Sequence, residues 1–351
     1  MGCSDSKAEE AMPEFKSVVT DASCLRKSNL AMESDHHSSP KLGVLTPGGR
    51  RASIQTRAEP ALPLSPSSRL RARSLCAGQS RDVPLGWTNL HFAAEIGDLN
   101  MVVRESELSK GKIDKLTTDS RACTALWLAC SAGRTEIVKY LLEKCKACPS
   151  IPNRDGKTPL HAASQWGRTA IVQLLLAWNT SLEAKSRQGE TPLFTAVANG
   201  QFAVAELLLD SMASLKVKNK DGQGLLWAAA CNGNKEVMDL LLFFKSKFDI
   251  EDRDPNGQTP LYVAANYGHI GAVDSLAHKG ADINAEDANG TSPLWISAYR
   301  GHVGVVAFLL EKGATVGGCA RGKMGEIFEG GVSNLARQQI RSHLEQYITY
   351  T

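Results

Sequence analysis

Gly156-Lys157-Thr158-Pro159-Leu160-His161 returns as Gly189-Glu190-Thr191-Pro192-Leu193-Phe194 and again as Gly257-Gln258-Thr259-Pro260-Leu261-Tyr262. Behind each copy come small residues, a second glycine (Gly167, Gly200, Gly268) and an aliphatic run such as Ile171-Val172-Gln173-Leu174-Leu175-Leu176. Fainter copies lie on both sides. The threonine position recurs as Thr88, Thr124, Thr158, Thr191, Gly224, Thr259 and Ser292, at separations of 36, 34, 33, 33, 35 and 33 residues. One such unit cannot bury its own apolar face, so copies held in phase specify a stack of like units.

The wording of the motif is helix-start chemistry. Thr158 and Thr191 suit an N-cap, and Pro159 and Pro192 suit the first helical position, where a missing N–H costs nothing. Ala163, Ala196 and Ala229 are small enough for neighbouring helices to approach closely. The glycines at 97, 133, 167, 200, 233, 268 and 301 suit a left-handed residue that ends the first helix. A second helix follows, with apolar spacing such as Ile137, Val138, Leu141 and Leu142.

Motif, period and order together resemble the ankyrin repeat over roughly residues 84–316. The resemblance implies an all-α ankyrin-repeat solenoid of about seven repeats. The family pattern places histidine after the leucine, as at His91 and His161, but the other copies carry Trp127, Phe194, Trp227, Tyr262 and Trp295 there. Aromatic replacement keeps packing and discards acid–base and metal chemistry, so this slot reads as a packing position. Departures fall where stacking is weakest: a long first unit with a polar stretch at 106–114, a fifth unit without threonine or proline (Gly222-Gln223-Gly224-Leu225-Leu226), and decay after Val316. Beyond it Ala336, Ile340, Leu344 and Ile348 recur every fourth residue, so 317–351 is expected to be a degenerate capping repeat.

The net charge is only +3, but it is unevenly placed. Residues 1–85 hold 12 Lys/Arg and 9 Asp/Glu and the remainder 28 of each; in 41–81 eight basic residues face Glu59 alone. That is a basic arm on a neutral solenoid rather than a nucleic-acid-binding domain. Nine scattered cysteines with no preceding signal peptide suit a reducing cytoplasm. Cys145-Lys146-Ala147-Cys148 lacks the second ligand pair or strand–helix context that zinc or redox chemistry needs. No nucleophile–base pair, phosphate loop or metal cluster appears, so neither an enzyme nor a cofactor is expected.

The chain begins Met1-Gly2-Cys3-Ser4-Asp5-Ser6-Lys7. With Met1 removed, Gly2 becomes a myristoylation candidate with Ser6 in register, and Cys3 a palmitate acceptor. Residues 1–7 resemble the N-termini of dually acylated signalling proteins such as some Src-type kinases and G-protein alpha subunits. One myristoyl chain binds a bilayer with an association constant on the order of 10⁴ M⁻¹, so a second signal makes attachment persistent. The expected location is therefore the cytoplasmic face of a membrane, the plasma membrane being one candidate. Residues 8–83 lack periodicity and collect Ser, Pro, Gly and Arg, which reads as a disordered basic tether. Within it Arg50-Arg51-Ala52-Ser53-Ile54 resembles the preferred substrate of cyclic-nucleotide-dependent kinases, and Ser74 sits in a second basophilic site. Ser39, Thr46 and Ser65 precede prolines.

The leading expectation is a monomeric membrane-anchored adaptor that binds a protein partner. The alternative is a regulator of a cyclic-nucleotide-dependent kinase acting through Arg50–Ile54, although a phosphorylatable Ser53 favours a substrate. In ankyrin proteins the concave face is built from hairpin tips and from first-helix residues just before the glycine. By register these include Gln165, Trp166, Asn199, Asn232, Asn266, Tyr267, Tyr299 and Arg300, with Arg154, Asp155, Arg187 and Lys220 as a polar rim. Trp166, Tyr267, Tyr299 and Arg300 are the expected anchors, because Trp, Tyr and Arg dominate interface hot spots.

Overall fold

The computed structural model describes residues 83–109, 111–244, 249–316 and 334–350, with the side chains of 347–350 left out. The acylation signal, Ser39, Thr46, Ser53, Ser65 and Ser74 lie outside the described residues. Among the described residues there are fifteen α-helices and no strand beyond an isolated bridge between Lys218 and Gly224. Fourteen form seven pairs. They are α1 Asn89–Ile96 with α2 Leu99–Leu108, α3 Ala125–Ala132 with α4 Thr135–Glu143, and α5 Pro159–Gln165 with α6 Thr169–Ala177. There follow α7 Pro192–Ala198 with α8 Phe202–Asp210, and α9 Leu225–Asn232 with α10 Lys235–Phe243. The last are α11 Pro260–Tyr267 with α12 Ile270–His278, and α13 Pro293–Arg300 with α14 Val303–Glu311. A terminal α15, Asn334–Tyr350, packs on α14.

The first helices of the pairs lie side by side as an inner layer, and the second helices form an outer layer behind them. Alanine makes the inner layer possible: Ala93, Ala129, Ala163, Ala196 and Ala264 are fully buried where adjacent helices touch. The outer helices supply the bulk, as with Ile137, Val138, Leu141 and Leu142, all buried. One apolar cluster runs unbroken from Leu90 to Leu344. Truncating a member such as Leu141 to alanine costs about 2–5 kcal/mol. Ile340 and Leu344 bury the inner face of α15 while Arg341 and Glu345 face solvent.

Helix starts follow the motif. Thr124, Thr191, Thr259 and Ser292 accept the N–H of Trp127, Phe194, Tyr262 and Trp295 at 3.1, 3.3, 3.2 and 3.2 Å. Where the third residue is histidine the ring joins the cap: His161 Nδ1 accepts the Thr158 N–H at 3.1 Å, and His91 Nδ1 the Thr88 N–H at 3.2 Å. The fifth unit has no such cap. Its glycine instead leaves room for a neighbour, since a Cβ on Gly224 would stand 2.9 Å from Oδ2 of Asp252, the carboxylate that Lys218 engages.

Candidate functional site

Between each outer helix and the next inner helix the chain makes a hairpin, and the hairpin tips are sewn together by backbone bonds. Thr118 N–H donates to Gly86 C=O at 2.8 Å, Arg154 to Arg121 at 2.8 Å, Arg187 to Asp155 at 2.7 Å, Lys220 to Gln188 at 2.8 Å and Ala288 to Asn256 at 3.0 Å. The position between Lys220 and Ala288 is Pro255, which has no N–H to give. Its ring packs against Gly222 instead. The ladder is interrupted at the junction of the fifth and sixth units.

A second set of bonds, shared by four of the six junctions, crosses at the far end of the inner helices. Arg134 Nε donates to Glu95 C=O at 3.1 Å and Gln201 Nε2 to Gln165 C=O at 3.3 Å. His269 Nε2 donates to Cys231 C=O at 3.1 Å and His302 Nε2 to Asn266 C=O at 3.0 Å. Each acceptor lies two residues before a motif glycine, and each donor directly follows the glycine of the next unit. The side chain therefore passes over the preceding glycine as a clasp. Gly97 shows the consequence: it holds φ at 93°, and a Cβ there would sit 2.9 Å from Arg134 Nε. Gly268 is confined in the same way, at φ 77° with His302 Nδ1 2.5 Å from a notional Cβ.

The ring slot adds a third crossing bond. His161 Nε2 donates to Glu190 C=O at 3.0 Å, Trp127 Nε1 to Lys157 C=O at 3.0 Å, and the Tyr262 hydroxyl pairs with Thr291 Oγ1 at 3.1 Å. Because His161 Nδ1 accepts an N–H, its proton is on Nε2; burial, partly offset by the Glu190 carbonyl, pushes its pKa down to about 4. Burial likewise lowers His91. These are neutral, structural histidines. The buried Trp227 Nε1 has no hydrogen-bond partner.

The tips and the inner helices border an open groove between the fourth and fifth units. Arg154, Asp155, Arg187 and Lys220 are exposed along the tips, with their backbone groups committed to the ladder. Trp166 caps α5 and is 36% exposed; Tyr267 ends α11 and is 49% exposed, its ring stacked on His269 at 6.2 Å. The two neighbouring positions are less free. Tyr299 is half-buried and stacks on Trp295 at 5.0 Å, and Arg300 Nε donates to Asn266 Oδ1 at 3.0 Å. Asn199 and Asn232 are exposed, but their amides donate to Thr195 C=O at 2.8 Å and Ala198 C=O at 3.2 Å. Gln165 and Asn266 are half-buried acceptors of the clasps.

Sequence reasoning did not find a cleft of about 240 Å³ in this groove, between Gln188, Asp221, Phe194, Trp227 and Cys231. The signal was Trp227 in a unit without the threonine cap. The Cys231 side chain also lies beside the Tyr267 hydroxyl, and the repulsion between a thiolate and a phenolate there, followed by their hydrogen bond, raises the pKa of the phenol. Elsewhere burial suppresses thiol chemistry: it pushes Cys123 up to about 12 and also raises Cys130. Cys145 is half-buried and Cys148 exposed. Among the described residues no group of three or more His, Cys, Asp or Glu is placed to hold a metal, and no helix is long and apolar enough to cross a membrane.

The model of the family described as ankyrin repeats (3 copies) matches residues 71–153, 90–186, 145–221, 179–254 and 225–318. The chain is 39% identical over 93 residues to the liver isoform of mitochondrial glutaminase of Mus musculus, covering 26% of this chain but 15% of that protein. It is 30% identical over 178 residues to the ankyrin repeat and KH domain-containing protein mask of Drosophila melanogaster, covering 49% of this chain and 4% of that one. Both matches therefore concern a small part of the relative. Among solved structures it is similar to the ankyrin repeat domain of Bcl-3, described as a unique member of the IkappaB protein family. That likeness has a TM-score of 0.51 at 26% identity and covers 64% of this chain and 99% of that domain. With matches that together run from residue 71 to 318, the chain belongs to the ankyrin-repeat family, whose fold typically serves protein interaction rather than catalysis.

Proposed function

We propose that the chain is a lipid-anchored adaptor that holds a protein partner at the cytoplasmic face of a membrane, with phosphorylation of its N-terminal arm as the control. The observation that supports the binding half is the exposure of Trp166 and Tyr267 at inner-helix ends, among residues already committed to holding the stack. Large rings on a rigid frame lose little entropy on docking, which is why Trp and Tyr dominate interface energetics. The anchoring half is supported by Gly2-Cys3 with Ser6 in register. The control is supported by Arg50-Arg51-Ala52-Ser53-Ile54: phosphate adds about −1.5 to −2 charge beside two arginines and weakens their attraction to anionic lipid.

The test has two separable arms. Gly2→Ala is expected to release the protein from membranes to the cytosol; a variant that still fractionates wholly with membranes removes the lipid anchor from the proposal. Trp166→Ala and Tyr267→Ala are expected to weaken a partner purified from membrane fractions by roughly 1–3 kcal/mol each, with thermal stability nearly unchanged. Normal binding by both variants, or unfolding of both, would move the docking site elsewhere.

A further inference from the structure

We infer that the cleft between the fourth and fifth units is a subsite for an arginine side chain of the protein partner. This deepens the reading of the chain as a protein-binding adaptor and rests on it. The cleft, of about 240 Å³, is walled by the rings of Phe194 and Trp227 and bordered by Glu190, Asp221 and Gln188. Small-molecule sites run to about 300–1,000 Å³, so this space suits one side chain inserted from a protein surface. Phe194 is buried and Trp227 half-buried, whereas Asp221 and Gln188 are exposed, so the rings lie deeper than the polar groups. At its inner-helix end the cleft reaches Cys231, whose side chain lies beside the Tyr267 hydroxyl. The cleft thus continues into one of the two exposed rings assigned above to docking.

The other junctions serve as an internal control. The rings belong to the repeat, since every unit fills that slot with a ring. The two acids do not. Glu190 precedes the threonine of its unit, and Asp221 follows the ladder donor of the next. By register the corresponding pairs are Cys123 with Asp155, Lys157 with Gln188, Gln223 with Asn256 and Gln258 with Asn289. Those junctions stack with a thiol, a lysine or amides in the same places, so folding does not require two carboxylates here.

Charge favours a cation as the occupant. Helices α7 and α9 carry no charged residue, and the lining holds Glu190 and Asp221 with no lysine or arginine. Lys157 Nζ reaches Oε2 of Glu190 at 3.3 Å, so this carboxylate already accepts a cation and keeps Oε1 for a second. Of Asp221 only the N–H is bonded among the described residues, to Asn219 Oδ1 at 3.0 Å. Lys218 is engaged by Asp252. The remaining charges of the two hairpins, Glu183, Lys185, Arg187, Lys216 and Lys220, stand exposed outside the lining. They act on an occupant through solvent, which screens them, whereas the lining carboxylates meet it directly. A guanidinium is planar, stacks on aromatic faces and presents its N–H donors as a fork. It can lie against Trp227 and donate to both carboxylates, while an ammonium has no face to stack.

The experiment presents the full chain with immobilised peptides randomised except for one fixed central residue: arginine, lysine, citrulline, leucine or glutamate. Citrulline keeps the shape of arginine and loses its charge. The arginine pool is expected to retain the protein at least about tenfold better than the citrulline pool, and better than the lysine pool. Glu190→Gln together with Asp221→Asn should abolish that preference at an unchanged melting temperature. If the pair lowers stability, Asp221→Asn alone, at an exposed tip, must still cut the preference at least about threefold. Equal retention of the arginine and citrulline pools, stronger retention of lysine, leucine or glutamate, or a preference that survives the substitutions overturns the subsite. So does a parent that retains no pool. These outcomes are separate from the test of Trp166 and Tyr267: a membrane-derived partner that still needs those two rings would keep the docking surface and lose only the arginine.

Discussion

The junction between the third and fourth repeats and the junction between the fifth and sixth carry the same load with different parts. At the first, Arg187 N–H closes the hairpin ladder, Thr191 caps α7, His161 bonds Glu190 C=O and Gln201 clasps Gln165 C=O. At the second, Pro255 removes the ladder donor and Trp227 Nε1 has no acceptor. What remains includes the Thr259 cap on α11, the His269 clasp, the Lys218–Asp252 and Lys235–Asp274 ion pairs, and the packing of α9 on α11 and of α10 on α12. A neutral hydrogen bond contributes only about 1 kcal/mol net, whereas a buried leucine contributes about 2 kcal/mol. Apolar packing thus sets whether two repeats stay together, and the polar crossings set their register.

The comparison would break most visibly at a clasp. Gly268→Ala should destabilise the protein by about 3 kcal/mol: the left-handed backbone accounts for about 1–2, and displacement of His302 from Asn266 C=O for the rest. Gly290→Ala is the control, since it shares positive φ (70°) but its nearest neighbour would be 3.8 Å away, so only the backbone cost of about 1 kcal/mol should appear. Denaturant titration of the two variants reads the difference directly, and equal losses would show that the clasp contributes nothing.

Next in size is the ring slot. His161→Phe, a residue the same slot accepts at Phe194, should cost about 2 kcal/mol, because the Thr158 N–H and Glu190 C=O lose their partner. Trp227→Phe discards an N–H that has no partner and should be neutral or slightly stabilising. The histidine also carries a pH signature. With its folded pKa near 4 and the unfolded ring at its ordinary 6.5, the unfolded chain takes up the proton first as pH falls. His161 thus favours folding fully above about pH 6.5, and about 3 kcal/mol is lost between 6.5 and 4. Melting temperatures across that range should fall less steeply in the phenylalanine variant than in the parent.

Smallest is the ladder itself. Pro255→Ala restores a donor opposite Asp221 C=O, worth up to about 1 kcal/mol, but releases about 0.4–1 kcal/mol of backbone restriction in the unfolded chain. The net should fall within about 0.5 kcal/mol of zero. The informative measurement is hydrogen exchange, in which the amide introduced at position 255 should be protected like that of Arg187. Rapid exchange there would show that the interruption is not simply a missing donor.

Most of the frame was legible in the sequence because it depends on residue type. Threonine caps, prolines at first helical positions, alanines between inner helices and glycines at left-handed ends are each demanded by local geometry. So is the buried face of α15 at Ile340 and Leu344. The clasps were not legible. Arg134, Gln201, His269 and His302 share only a long side chain with a donor, and the acceptor is a carbonyl that every residue has. Nor could Gly224 be read correctly without Asp252, its neighbour in space, 28 positions away. At the inner-helix ends, exposure of Trp166 and Tyr267 accords with their register, but Tyr299 and Arg300 occupy equivalent places and are engaged by Trp295 and Asn266. Composition identifies large side chains, and only packing shows which of them are already in use.

The clasps also give the stack a direction. Each reaches from one repeat back to its predecessor, so the acceptor always lies earlier in the chain than the donor. At the N-terminal end Asp98, which has no earlier repeat to reach, caps its own helix at Met101 N–H instead. A ribosome delivers the acceptor first: Glu95 is synthesised and can fold before Arg134 emerges, and Asn266 before His302. A newly made repeat that carries such a donor therefore meets a finished surface that already presents the carbonyl it needs, and the protein can be assembled in the order in which it is made.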